Sequence, residues 1–382
     1  MSAGIILKEV LDDEHKTFAL SDLCKRVLYR KSTCSRCVNI CPQNAISLNP
    51  GPNINDDCTD CGLCQVVCPT EVFQNELSSD RNLLSKVEGI YKNDRVQCSG
   101  DRKLLFFHCH RAEKQDRNSL FLHCLGRITT NIILGAALLG FDKIILTKGN
   151  CSQCHYHRGE KLIKNALTTS QVFLESKGIT LFEIKIEEKE KCNEAVLSRR
   201  DLFSMLSDKI KNSTASFVHR TETTIREKMN NTIGSKGKKR HLPQIKLLKM
   251  ILRQNSFENK MVIKYKSELP FGKIKVDEKE CSACGACISL CPTGAITKKM
   301  ENDLLSLYVN ASLCNNCTLC KEACPKNAID FETNIDITDI LEDKKEMIAR
   351  IKLVSCTICG EKIAKEKSTR CSTCQKRYGL PD

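Results

Sequence analysis

Cysteine carries the chemistry of this sequence. There are 26 among 382 residues, and they are grouped. Two runs share one spacing, Cys281-x2-Cys284-x2-Cys287-x3-Cys291-Pro292 and Cys314-x2-Cys317-x2-Cys320-x3-Cys324-Pro325. A third, Cys58-x2-Cys61-x2-Cys64-x3-Cys68-Pro69, repeats it. A fourth, Cys34-x2-Cys37-x3-Cys41-Pro42, lacks only its first position, where Lys31 stands, and Cys24 lies ten positions before Cys34. Thiolates at such spacing are ligands for soft metals, because a short loop can turn several sulfurs toward one centre. A disulfide scaffold is the competing use of so much cysteine, but those are short and exported. The start, Met1-Ser-Ala-Gly-Ile-Ile-Leu-Lys8, has no basic opening and no long apolar segment. The longest apolar stretch, 132–146, is broken by Asp142 and Lys143, so no membrane span is expected. A reducing, cytoplasmic location follows as the expectation.

The paired runs resemble the bacterial two-cluster ferredoxins, in which the fourth cysteine of each half ligates the other half's cluster. The resemblance implies one [4Fe-4S] cluster on Cys281, Cys284, Cys287 and Cys324 and another on Cys314, Cys317, Cys320 and Cys291. In the N-terminal region it implies one on Cys58, Cys61, Cys64 and Cys41. The last would use Cys34, Cys37 and Cys68 with Cys24 as substitute fourth ligand; the alternative is a free buried thiol at Cys24 beside a three-cysteine cluster. Gly285 suits the tight turn of such a loop, and each Pro after the fourth cysteine redirects the chain. The repeat runs past the ligands: each Cys-Pro is followed by Ala45-Ile46, Val72-Phe73, Ala295-Ile296 or Ala328-Ile329, an internal duplication.

Residues 96–188 read differently. Short apolar runs at 104–108, 120–123, 143–147 and 179–184 alternate with helical patterns at 128–139 and 159–176, which predicts a parallel α/β sheet. Such sheets place ligands at the carboxyl ends of their strands, and Cys109, Cys124, Cys151 and Cys154 fall there. Two readings stand, a metal centre or small buried core residues, with Cys98 as a reserve ligand and His108, His110, His123, His155 and His157 nearby. His123-Cys-Leu-Gly-Arg127 and Cys154-His-Tyr156 resemble the delta subunit of methyl-viologen-reducing hydrogenases. That resemblance implies a [2Fe-2S] centre passing electrons toward a heterodisulfide-reductase-type partner. No dinucleotide or ATP fingerprint is present.

The expected architecture is therefore an α+β multidomain chain: ferredoxin-like dicluster modules at 15–78 and 268–335, the central α/β domain at 96–188, a basic helical linker at 189–265 and a small four-cysteine, zinc-ribbon-like tail at 350–382. In the linker, Ile245, Leu248 and Ile251 share a helical face, suited to packing on the chain's own modules or to docking a partner. The basic run Lys236 to Arg240 is a solvated loop or an attractor of an acidic redox partner, and Cys192 reads as structural. In the tail, Cys356-x2-Cys359 and Cys371-x2-Cys374 predict a tetrahedral site for zinc, or for a single rubredoxin-like iron.

A formal net charge of +14 invites a nucleic-acid reading. Each metal site built from four thiolates carries roughly −2, so six of them offset about −12 of it, and no nucleic-acid partner is expected. No catalytic triad, paired carboxylates or flavin fingerprint emerges. The function expected is electron transport: a polyferredoxin-like subunit of an anaerobic oxidoreductase complex. The hydrogenase resemblance implies a hydrogenase or formate dehydrogenase on one side and a heterodisulfide-reductase-like flavoprotein on the other. The rivals are a non-catalytic assembly or sensing protein, and a reductase acting on a small substrate at the α/β domain.

Overall fold

The computed structural model describes residues 17–75, 77–92, 97–99, 102–113, 119–176, 183–189, 243–253, 262–364 and 369–378. All of these belong to one unit, 1–190 with 240–382. Cys192 and the basic run at 236–240 lie outside the described residues, as does the side chain of Cys98. Helices and several sheets alternate, and no described helix is long and apolar enough to cross a membrane.

Each ferredoxin-type repeat is a short helix, a Cys-Pro stop and a strand. The helices Arg36–Ile40 and Leu63–Val67 end on Cys41 and Cys68, where the following proline forbids further helix. The residue two positions beyond that proline takes a left-handed backbone in all four repeats: Asn44 (φ 54°), Glu71 (φ 51°), Gly294 (φ 72°) and Asn327 (φ 51°). That kink aims the next backbone N–H back at sulfur. Ala45, Val72 and Ala328 donate to Cys41, Cys68 and Cys324 Sγ at 3.3, 3.4 and 3.3 Å. The duplicated small-then-apolar pairs are thus the residues that close over the cysteines and enter buried strands.

The two copies differ in their hairpins. In the N-terminal copy Ile46–Ser47 pairs with Asn53–Ile54 over two residues each. In the C-terminal copy Ile296–Glu301 pairs with Leu304–Val309 across a two-residue Asn302-Asp303 turn with positive φ at both positions, the geometry that matches strand twist. Leu305, Leu307 and Val309 alternate inward, and Glu346–Ser355 and then Lys362–Ala364 extend the sheet. The tail is thereby hydrogen-bonded to this region.

In the central region Arg102–Cys109 runs parallel to Lys143–Lys148, which runs parallel to Glu183–Glu188. The other edge of Arg102–Cys109 takes Leu120–Leu122 in parallel and Gln97–Ser99 antiparallel. The fourth strand is placed at Glu183–Glu188 rather than the expected 179–184, of which 179–182 lie outside the described residues. The helix expected at 159–176 is Gly159–Ser176. Thr130–Leu139 is apolar all round because it packs against the helices Asp80–Lys92, Gly159–Ser176 and Pro243–Arg253. It ends on left-handed Gly140 (φ 96°).

The linker helix Pro243–Arg253 buries Leu248, Ile251 and Leu252 in one core with Ile132 and Ile133 of the central region and Ile335, Ile337 and Ile340 of the C-terminal one. It packs on both regions, not on the ferredoxin-type repeats alone.

Candidate metal centres

Twenty-four cysteines appear in six sets of four, each drawn to its own space. Cys41, Cys58, Cys61 and Cys64 line one cavity of about 20 Å3. Cys24, Cys34, Cys37 and Cys68 line a second of about 20 Å3. In the C-terminal region Cys291, Cys314, Cys317 and Cys320 surround one of about 20 Å3. Cys281, Cys284, Cys287 and Cys324 surround another of about 20 Å3. The first two are the inner and outer N-terminal sets, and the last two the inner and outer C-terminal sets. In every case the fourth cysteine comes from the other half of its pair.

Backbone sign explains how the loops hold their sulfurs outward. In three sets the second cysteine is flanked by left-handed residues: Asp60 and Gly62, Ala283 and Gly285, Asn316 and Thr318. Peptide N–H groups thereby turn inward, a concavity suited to anionic sulfur. Two of these loops are tied down by their left-handed side chain. Asp60 Oδ1 accepts from the Thr17 N–H at 3.0 Å. Asn316 Nδ2 donates to Leu269 O at 3.0 Å while Oδ1 accepts from Tyr265 Oη at 2.9 Å. Around Cys34 no residue has positive φ among the described residues. There the 3-10 turn Ser21–Leu23 and helix Lys25–Leu28 carry Cys24 in instead, 8 % exposed. Nothing in the local spacing marks Cys24; the missing cysteine at Lys31 is its only sequence signal.

The electrostatics of these pockets call for a cation. Burial, then Cys68 and the neighbouring thiols, push Cys37 up to about 12. Burial likewise pushes Cys61 up to about 11, Cys287 to about 12, Cys314 to about 12 and Cys317 to about 11. Cys64 and Cys320 go higher still for the same reasons. Four buried thiolates cannot face one another uncompensated, so these pockets fit a positive metal core that deprotonates them on binding.

The central set is Cys109, Cys124, Cys151 and Cys154, at the carboxyl ends of the strands. It opens on a cavity of about 230 Å3 that His110, His123, Lys148 and Glu160 also line. Cys124 Sγ accepts from the Gly126 N–H at 3.4 Å. Gly159 is required beside it, because a Cβ there would lie 2.4 Å from that sulfur. Burial, then Cys151, Cys109 and Cys154 raise Cys124 to about 12 once the opposing Gly126 N–H is counted. His110 Nδ1 meets His123 O at 2.7 Å, and its Nε2 stands 3.9 Å from Cys154 Sγ. His155 and His157 lie exposed, and His108 Nδ1 is bonded to Ser119 Oγ at 2.7 Å, away from the cavity lining.

The tail set differs in kind. Cys356, Cys359, Cys371 and Cys374 sulfurs lie within 4.8 Å of one another, the one group of metal-ligating side chains this tight among the described residues. Cys359 and Cys371 are 3.6 Å apart. A tetrahedral ion with sulfurs at about 2.3 Å needs sulfur pairs about 3.8 Å apart, so this set fits a single ion. Backbone N–H groups, including that of Cys371 at 3.2 Å, hold Cys356 down at about 6. The ferredoxin-type sets are wider, as a multi-iron core requires.

Sequence comparison agrees with this geometry. Residues 274–297 and 307–330 match the family described as 4Fe-4S binding domain, and 32–72 the 4Fe-4S dicluster domain. Residues 114–201 match the family described as methyl-viologen-reducing hydrogenase, delta subunit. An uncharacterized ferredoxin of Methanocaldococcus jannaschii is 39 % identical over 52 residues, which is 13 % of this chain and 84 % of that protein. With its duplicated cysteine loops joined to a region similar to a hydrogenase delta subunit, the chain belongs to the ferredoxins and is an electron-transfer iron–sulfur protein.

Proposed function

We infer that this chain is a relay subunit holding four [4Fe-4S] clusters on the four ferredoxin-type sets, a [2Fe-2S] centre on Cys109, Cys124, Cys151 and Cys154, and one zinc on the tail set. The observation that carries the reading is that each ferredoxin-type quartet, with its crossed fourth cysteine, lines a separate small cavity. Bound clusters would supply reversible one-electron storage. The protein's part is to hold them at fixed separation, donate N–H bonds to sulfur and limit water, which tune potential. The functional division follows: dicluster modules at 15–78 and 268–335, the α/β domain at 96–188 and a structural metal knob at 350–382. The partners are redox subunits of a cytoplasmic complex, such as a hydrogenase or formate dehydrogenase and a heterodisulfide-reductase-like flavoprotein, an assignment that rests on the delta-subunit similarity.

Anaerobically purified protein should contain about 16 to 18 iron and about one zinc, with matching acid-labile sulfide. Fewer than about eight iron in a fully loaded sample would remove the relay. One observation favours a second reading: the central cavity, at about 230 Å3, is far roomier than the others. Turnover of a small substrate by the isolated chain would favour a reductase at that site.

A further inference from the structure

The order of the sets along the chain differs from their order in space. The central set neighbours the inner N-terminal one: Tyr156 Oη donates to Thr59 Oγ1 at 3.0 Å, and its ring meets His110 edge-on at 4.9 Å. Cys124, Tyr156, Cys37 and Cys64 share one buried core, so inner and outer N-terminal sets adjoin. Cys287, Cys314, Cys320 and Cys324 share another, so the two C-terminal sets adjoin.

The outer N-terminal and inner C-terminal sets meet directly. Lys25, next to Cys24 and 4 % exposed, donates to Thr318 Oγ1 at 3.0 Å and pairs with Glu322. Ser32 Oγ donates to Glu322 Oε2 at 2.8 Å, and Asn315 Nδ2 to Pro69 O at 2.6 Å. Lys25 lines the cavity of its own set, and its charge reaches Cys317 of the other. Both Lys25 and Ser32 belong to the detour between Cys24 and Cys34 that departs from the regular spacing. The irregular loop is therefore also the junction.

The central and C-terminal regions share a core through Leu248, Ile251 and Leu252. Among their contacts Phe173 meets Phe271, ring centroids 6.2 Å apart. Phe173 lies fourteen residues along the helix from Gly159, which abuts Cys124, a span of about 21 Å.

Resting on the iron–sulfur reading, we propose that the five redox sets stand in single file. The spatial order is central, inner N-terminal, outer N-terminal, inner C-terminal, outer C-terminal. Lys25 is the positioning residue that locks the two halves together through Thr318 and Glu322. With Lys25 buried and Glu322 about one-third exposed, the pair contributes little net stability, and its use is to fix register between two redox modules. The file ends outward at Cys284, the one exposed cysteine among the five redox sets, on the loop whose left-handed Ala283 has no side-chain tie.

The test is magnetic. Reduced neighbouring clusters broaden one another's EPR signals and shorten their relaxation. In the full chain, Glu322→Ala, which removes the partner of both Lys25 and Ser32 without touching either cavity lining, should retain the iron and sulfide content yet lose the coupling between the N-terminal and C-terminal pairs, and Glu322→Gln should restore it. Cys34→Ser should remove about four iron and abolish coupling of the inner C-terminal signal to the N-terminal half. The two C-terminal signals should stay coupled to each other, and the inner N-terminal one to the central signal. Unchanged coupling in Glu322→Ala, or C-terminal signals indifferent to Cys34→Ser, would overturn the junction. A wild-type sample poor in iron would instead overturn the reading beneath it.

Discussion

The same repeat is used twice, and the two copies are dressed for opposite surroundings. Gly62 and Gly285 occupy matching loop positions with nearly one backbone, φ 73° and 72°. A Cβ on Gly62 would meet Arg127 Cδ at 2.5 Å, whereas on Gly285 it would meet nothing within 4 Å. The N-terminal copy is walled in by the central region on one side and by the C-terminal copy on the other. The C-terminal copy keeps one loop open and grows its hairpin into a four-stranded sheet that carries the tail site. Loops of one Cys-x2-Cys-x2-Cys spacing thus serve as an internal link in one place and an outward-facing end in the other.

That contrast can be broken most severely at the irregular set. Cys24→Ser and its regular counterpart Cys281→Ser should each lose about four iron if the detour replaces the missing cysteine. An unchanged iron count and EPR spectrum in Cys24→Ser alone would show that Cys24 is no ligand.

Next in size is the wall itself. Arg127 and Asp80 form an ion pair at 2.8 Å with side chains 2 % and 3 % exposed. Arg127 also bonds Ser78 O, while Thr129 and Asn131 donate to the other Asp80 oxygen at 2.7 and 2.9 Å. Arg127→Met leaves that carboxylate buried without its countercharge and should cost about 3–5 kcal/mol in denaturant melts. A cost below about 1 kcal/mol would mean water or rearrangement serves Asp80.

The glycine pair sharpens the comparison directly. Gly285→Ala should cost about 1 kcal/mol, the left-handed strain alone. Gly62→Ala should cost about 2–4 kcal/mol, because Arg127 must also move. Equal costs would mean that the N-terminal loop is as open as the C-terminal one.

The smallest effect concerns the helix packed on both regions. Burial first, then Arg253, lower Lys249 from 10.5 to about 8, with Asp343 opposing. Between about pH 8 and 10.5 the unfolded chain then holds more protons than the folded one, so stability should rise with pH across that window. Below it the charged ammonium is a burden. Lys249→Met should flatten the rise and stabilise the protein at about pH 7 by on the order of 1–2 kcal/mol after solvent screening. A variant that still gains stability over that window would assign the titration elsewhere.

Sequence pattern made the helix Gly159–Ser176 and three of the central strands legible, because long apolar periodicity survives any tertiary context. Gln97–Ser99 was not legible: so short a segment, with Cys98 its sole apolar residue, carries no period. The C-terminal hairpin was legible in principle, since Leu305, Leu307 and Val309 alternate, but its first strand, Ile296–Glu301, is exposed from Lys298 onward and so carries no apolar alternation there.

What the sequence by itself determined is the local chemistry of the loops. Cysteine spacing, the proline stop and the left-handed residue after it all act within a few residues, so they can be read in order along the chain. Tertiary structure alone decided which sets become neighbours, that Cys24 returns to Cys34, and that Lys25 reaches Thr318 across 293 positions. Such contacts form by burying surfaces that are remote in the chain, and no spacing rule records which surfaces will meet.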